Sequence, residues 1–379
     1  MTLQITNVRF GGGSGSVRIQ SGRITHLGDV PPASRNEIDG EGCWLLPGLI
    51  NAHDHLALNL LPLLGNPPYA NSAEWGRDVY RPDCLPMREI WKLNRRERLF
   101  WGAYRNLLSG VTTVQHHDRG HWQLSQLPVR VPAYRWRHCP GSPLGGWYGR
   151  PWSAPLFIHC AEGTDAASQA GVGLLQAQGL LGPKTVLIHG IALTPEDIRV
   201  LTATGTGLVV CPASNQFLFG RTAPVQALLD AGVPLALGTD STASGSTDLL
   251  AELQQLRGRV PNATLIDMVT TGAARLLGVP NRGQLKVGFD ADLLLVHKPR
   301  AHNVTEALLS TRGEDIRLVM LRGKPVLVRS PFTVHTTHLR AVRVDGEQTW
   351  LAGPIDTLLK RTQRLLKDRL FFGHHIELN

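Results

Sequence analysis

Thr185-Val-Leu-Ile-His189-Gly, read on to Leu235-Ala-Leu-Gly-Thr-Asp240-Ser, is the stretch that decides the fold. Its first four residues read as a short buried strand ending in a histidine. Thr194-Pro195-Glu196-Asp197 then opens a helix, with a capping threonine, a proline in the first turn and acids at the positive helix end. Gly207-Leu-Val-Val is the next strand, residues 224–229 the next helix, and Pro234-Leu-Ala-Leu the strand after it. Strands and helices in strict alternation predict parallel βα units, and a run of them predicts a (β/α)8 barrel. In that architecture the chemistry sits where the strands end.

Working outward, each strand end carries a polar group. Leu156-Phe-Ile-His159-Cys-Ala-Glu162-Gly is an apolar strand ending in His, with Glu three positions on. The apolar run from Trp44 ends in His53-Asp54-His55. Alternation along a strand sends those two histidines to one side. Buried polar groups are costly unless they satisfy one another or an ion. His53, His55, His159 and Asp240 offer three imidazoles and a carboxylate, a set suited to one divalent metal ion. Zn²⁺ fits best, with Fe²⁺ or Mn²⁺ as alternatives. Such an ion would bring the pKa of bound water to about 7. Glu162 and His189 remain as acid–base groups.

The chain ends read differently. Residues 3–8, 17–20 and 23–27 alternate apolar and polar residues, with Gly-Gly-Gly-Ser-Gly as a turn. Gly283-Gln-Leu-Lys-Val-Gly-Phe-Asp-Ala-Asp-Leu-Leu-Leu-Val is strand-like, and residues 319–327 read as a hairpin turning at Gly323. The expected organisation is a β-sandwich from residues 1–47 with 281–345, a metal-dependent barrel over 48–280, and a helical tail over 346–379. Residues 60–98, rich in Pro, Trp and Tyr, read as a lid or as plain connection. The 379 residues carry a net charge of +9, and the arginines are dispersed. The tail's basic run, residues 360–369, alternates with leucines as a solvated helix face would. A nucleic-acid partner is therefore not expected. No apolar run is long enough to cross a bilayer. The N-terminus shows no secretory pattern, and five scattered cysteines form no disulfide framework, so a reducing cytoplasm is expected.

The ordered motifs His-Asp-His after Leu-Pro-Gly-Leu-Ile-Asn-Ala, His-Cys-Ala-Glu, Leu-Ile-His-Gly, Cys-Pro-Ala-Ser-Asn and Leu-Gly-Thr-Asp-Ser resemble the amidohydrolase superfamily. The similar subgroup is the deaminase-like one, which includes cytosine, guanine and S-adenosylhomocysteine deaminases and related chlorohydrolases. The resemblance covers roughly residues 1–330 and extends to a β-sandwich appended to the barrel. It implies His53, His55 and His159 as metal ligands, with Asp240 as ligand and proton acceptor. It implies Glu162 as the group that protonates a ring nitrogen, and His189 as a hydrogen-bonding partner of the reacting centre. A small-molecule substrate is expected, and a homodimer is the assembly the resemblance suggests. Binuclear members bridge their metals with a strand-four lysine or glutamate. Residues 93–183 contain no Lys and residues 98–161 no Glu, leaving only Cys139, so a single ion is expected.

The departure lies between Asp118 and His159. About forty residues must supply two strands, a helix and a substrate loop, so the third and fourth units are expected to be reduced. Candidate substrate contacts are Gln115, His117, Arg137, Trp75 and Asn215. The expected reaction is hydrolytic deamination of a nitrogen heterocycle. Opening of a cyclic amide or imidazolone and dehalogenation of an azine are alternatives with the same machinery. A non-catalytic, basic nucleic-acid-binding barrel is the remote third.

Overall fold

The computed structural model describes the chain except residues 1, 12, 30–35, 151, 333, 335–336 and 367–370. Parallel strands Leu49–Asp54, Val111–His116, Tyr134–Arg137, Leu156–Cys160, Thr185–His189, Gly207–Val210 and Leu235–Leu237 form the barrel wall. Closure is made by Thr239 N–H and Asp240 N–H, which donate to His53 O at 3.0 and 3.2 Å. Gly238 permits this: a Cβ there would lie 2.7 Å from the His53 Cβ. The helix of the second half forms where expected. Pro195–Thr204 has a reciprocal Thr194–Asp197 capping box and ends at left-handed Gly205.

The third and fourth positions of the (β/α)8 plan are filled by one continuous segment. Arg130 exchanges backbone bonds with the second strand, accepting from Val114 at 2.9 Å and donating to Thr112 at 2.8 Å. Four residues on, Tyr134–Arg137 pairs with Leu156–Cys160. Residues 131–133 connect the two pairings. Among the described residues no α-helix intervenes between the second strand and Leu156–Cys160, only the 3-10 turn Trp122–Gln126. Tyr134–Arg137 then folds back as a hairpin with Leu144–Tyr148.

Trp44–Pro47 and Leu293–Val296 join the two chain ends in one eleven-stranded sheet. Alternation decides their packing. Leu45, Leu293 and Leu295 face the core inside the sandwich, while Leu46, Leu294 and Val296 face the barrel core. Residues 283–292, read as strand, are loop up to Leu293 because Gly283 and Gly288 take positive φ. The predicted helical tail is corrected in part. Its helix is described over Ile355–Leu366 and packs on the barrel, with Trp101 Nε1–H donating to Thr362 Oγ1 at 2.8 Å. Residues 367–370, including the end of the basic run, lie outside the described residues. Glu347–Ala352 and Ile376–Leu378 are strands, so the sheet runs past residue 345. The reason is a two-residue hairpin turn, Asp345-Gly346, with φ of 52° and 80°.

Within residues 60–98, the stretch 69–72 lies against the strand ends. Thr164 N–H donates to Ala70 O at 2.7 Å, Ser72 N–H to Glu162 O at 3.2 Å, and Tyr69 N–H to Leu218 O at 2.9 Å. No helix among the described residues is long and apolar enough to cross a membrane.

Candidate active site

Four strand ends converge. His53 Nε2 and His159 Nε2 lie 3.3 Å apart. Asp240 Oδ1 lies 3.8 Å from His53 Nε2 and 3.7 Å from His55 Nε2. Donors placed tetrahedrally at about 2.0–2.1 Å from zinc are separated by about 3.3–3.5 Å. The observed spacing therefore fits a divalent ion better than direct hydrogen bonding, which for the carboxylate would bring the atoms to about 2.8 Å. Burial holds the His53 and His159 imidazoles well below their ordinary pKa, and neighbouring imidazoles add to this. They are thus neutral and able to ligate.

Two of the donors, His159 and Asp240, are oriented from behind. His159 Nδ1–H donates to His138 O at 3.0 Å, which leaves Nε2 for the ion. Asp240 Oδ2 accepts from Ser214 Oγ at 2.8 Å and Ser244 Oγ at 2.9 Å, leaving Oδ1 on the histidine side. Burial raises the Asp240 pKa, but His55, His189 and these hydroxyls outweigh it and hold the carboxyl below its usual range. Asp240 and His189 both adopt left-handed backbone, with φ of 53° and 79°. Such positions cost about 1–3 kcal/mol each and persist only where the surroundings impose them.

Glu162 and His189 form the second group. Glu162 Oε1 lies 3.4 Å from His189 Nε2. Burial raises the Glu162 pKa, opposed by His189. His189 Nδ1 is paired with Asn215 Oδ1 at 2.8 Å, which fixes the ring with Nε2 inward.

The predicted substrate contacts are placed differently from the ligands. Asn215 is fully buried and engaged by His189 and by Thr222 at 3.1 Å. Trp75 donates its indole N–H to Leu64 O at 2.9 Å and packs against Tyr69, Ile191 and Leu218. Arg137 turns its guanidinium to Gln178 and Pro140 O, while its carbonyl meets His117 Nε2 at 3.2 Å. Gln115 is buried and donates to His116 O at 2.9 Å. Asn215, Trp75 and Arg137 thus spend polar atoms on protein partners, while Gln115 keeps its buried Oε1 unpartnered. His117 is also buried, its ring centroid 4.1 Å from that of His159, with Nδ1 unpartnered.

The sequence reading passed over Asp54, Ser214, Ser244 and Arg105. Asp54, between the two ligand histidines, was legible as a residue pointing away from them. It accepts from Asn59 and Asn106, each at 2.7 Å. The amidohydrolase family profile matches residues 153–326, which hold His159, Glu162, His189 and Asp240.

The chain carries an amidohydrolase-family domain.

Similar proteins agree. A 5-methylthioadenosine/S-adenosylhomocysteine deaminase of Syntrophobacter fumaroxidans is 28% identical, over 86% of this chain and 91% of its own. A 5'-deoxyadenosine deaminase of Methanosarcina mazei is 26% identical, over 82% and 87%. Among solved structures, a zinc-bound adenosine deaminase from Xanthomonas campestris superposes with a TM-score of 0.73 at 20% identity, covering 96% of this chain and 97% of that one. A zinc-complexed atrazine chlorohydrolase from Arthrobacter aurescens gives 0.75 at 19% identity, covering 96% and 99%. Those two likenesses establish a shared barrel and β-sandwich. The protein is a hydrolase.

Proposed function

We propose that this enzyme binds one zinc ion through His53, His55, His159 and Asp240 and hydrolytically deaminates an adenosine-type heterocycle. The observation that carries the reading is the Asp240 Oδ1 position, 3.7–3.8 Å from two imidazole nitrogens, where it accepts from the Ser241 N–H at 2.8 Å while Ser214 and Ser244 engage Oδ2. The deaminases that the chain resembles over more than four-fifths of its length support the substrate class.

A bound divalent ion supplies the charge that makes water acidic enough to attack near neutral pH. Asp240 accepts the proton released by that water. Glu162, whose pKa burial raises, donates its proton to the ring nitrogen as the C=N bond takes up oxygen. His189 Nε2, fixed by Asn215, hydrogen-bonds the oxygen added to the ring carbon. The proton held on Asp240 passes to the exocyclic amine. Ammonia departs as the C=O forms, and the remaining hydroxyl proton returns the carboxylates to their starting state.

A panel of 5'-deoxyadenosine, 5-methylthioadenosine, S-adenosylhomocysteine, a cyclic amide and a chlorotriazine tests the reading. Ammonia release from an adenine-bearing compound is expected. Chloride release, or ring opening without ammonia, would move the chain to the alternative chemistries of the same site.

A further inference from the structure

The innermost guanidinium of the barrel belongs to Arg105, on helix Arg95–Leu108, and is nearly all removed from solvent. It bonds to three carbonyls of the loop that follows the last strand. Nη1 donates to Asp240 O at 2.9 Å, Nη2 to Ser246 O at 2.7 Å, and Nε to Thr247 O at 2.7 Å. Nη1 also reaches Asn59 Oδ1 at 2.8 Å and Asp54 Oδ2 at 3.3 Å. Asp54 in turn gathers Asn51, Asn59, Asn106 and Thr239.

We propose that Arg105 and Asp54 are a positioning pair that imposes the left-handed Asp240 backbone and so aims its carboxylate at the His53–His55 side. Two observations carry this. The Asp240 carbonyl is held by Arg105 on one side and by Thr239 Oγ1 at 3.0 Å, while its N–H is held by His53 O. A side chain other than glycine needs such restraint to remain at φ 53°. The Asp54 carboxylate also sits between the two ligand histidines in sequence, so the pair ties the first strand directly to the last loop. Only a planar guanidinium can address carbonyls of residues 240, 246 and 247 together; an ammonium is a point charge.

The proposal rests on the metal-site reading, and its test separates the two. Arg105→Lys and the charge-neutral Asp54→Asn/Arg105→Gln double variant are compared with the native chain. Arg329→Lys serves as the control, since Arg329 is a buried guanidinium of the sandwich sheet. Zinc affinity is measured by chelator competition, and coordination by the visible spectrum of the cobalt(II) form. Loss of about ten- to hundredfold in zinc affinity is expected, with a changed cobalt spectrum and a fall in kcat larger than any rise in KM. The control should lose thermal stability without either change. The double variant carries the test should Arg105→Lys fail to fold. Variants with native affinity and a native cobalt spectrum overturn the positioning role while leaving the metal site standing. A native chain that binds no zinc overturns both.

Discussion

The barrel is built in two manners. From Leu156 to Asp240, short strands ending in polar residues alternate with helices, and three of the strand ends carry His159, His189 and Asp240. From His117 to Pro155, one bent segment does the work of two strands and then turns back as a hairpin. The regular half carries His159, Glu162, His189 and Asp240, while His53 and His55 join them from the first strand, because neighbouring parallel strands bring their ends together. The irregular part contributes backbone to the site: His138 O and Arg137 O orient His159 and His117. The contrast is between side chains carried at regular strand ends and backbone carbonyls supplied by the irregular segment.

The largest expected effect falls in the regular half. Glu162→Gln keeps the ligands and removes the proton donor, so kcat should drop about 10²–10⁴-fold with zinc content unchanged. Steady-state kinetics with metal analysis check this, and a native rate would remove Glu162 from proton transfer. Asp240→Asn should weaken zinc retention beyond the about ten- to hundredfold cost of a supporting residue, and activity with it. A variant with full zinc and full rate would break the division between the two regions.

A smaller effect concerns Glu252, buried under the same half. It accepts from Ala213 N–H at 3.0 Å and Ser246 Oγ–H at 2.7 Å. Burial dominates and pushes its pKa up to about 7 from an ordinary 4.5. A carboxyl with a raised folded pKa favours the fold most below the unfolded value. Its contribution is lost as pH rises from about 4.5 to about 7, by at most on the order of 3 kcal/mol. The stability of Glu252→Gln relative to the native chain should therefore improve across that window. Denaturant melts at pH 5 and pH 8 check the sign, and a gap independent of pH would contradict it.

The smallest effect is expected in the irregular part. Replacing residues 140–143 by a two-glycine turn leaves the Arg137 and His138 carbonyls in place. KM should rise by roughly tenfold, about 1.4 kcal/mol, with kcat and zinc content held. A fall in kcat alone would show that the hairpin serves the chemistry rather than the selection.

The sequence made the regular half readable because each unit there is local. Thr194 and Asp197 cap one helix within four residues, and each ligand is announced by the apolar run before it. The 129–137 segment was legible only as a shortage of residues. Its pairing with two strands depends on partners well separated along the chain. The strand Glu347–Ala352 had a local signal, the Asp-Gly pair at 345–346, which the amphipathic pattern of the following helix overshadowed. Residue type marked Asn215, Trp75 and Arg137 as polar candidates but did not say which protein partner lies nearest. Asn215 is spent on His189, and Gln115 donates to His116 O. Arg105 gave no signal in sequence: its role depends on carbonyls more than a hundred positions away.

The central claim is tested most directly by a crystal structure with anomalous diffraction at the zinc edge. The account predicts one zinc per chain within about 2.0–2.2 Å of His53, His55 and His159 nitrogens and of Asp240 Oδ1. A chain without zinc at that point, or zinc held there while Asp240 stands outside bonding distance, would contradict it.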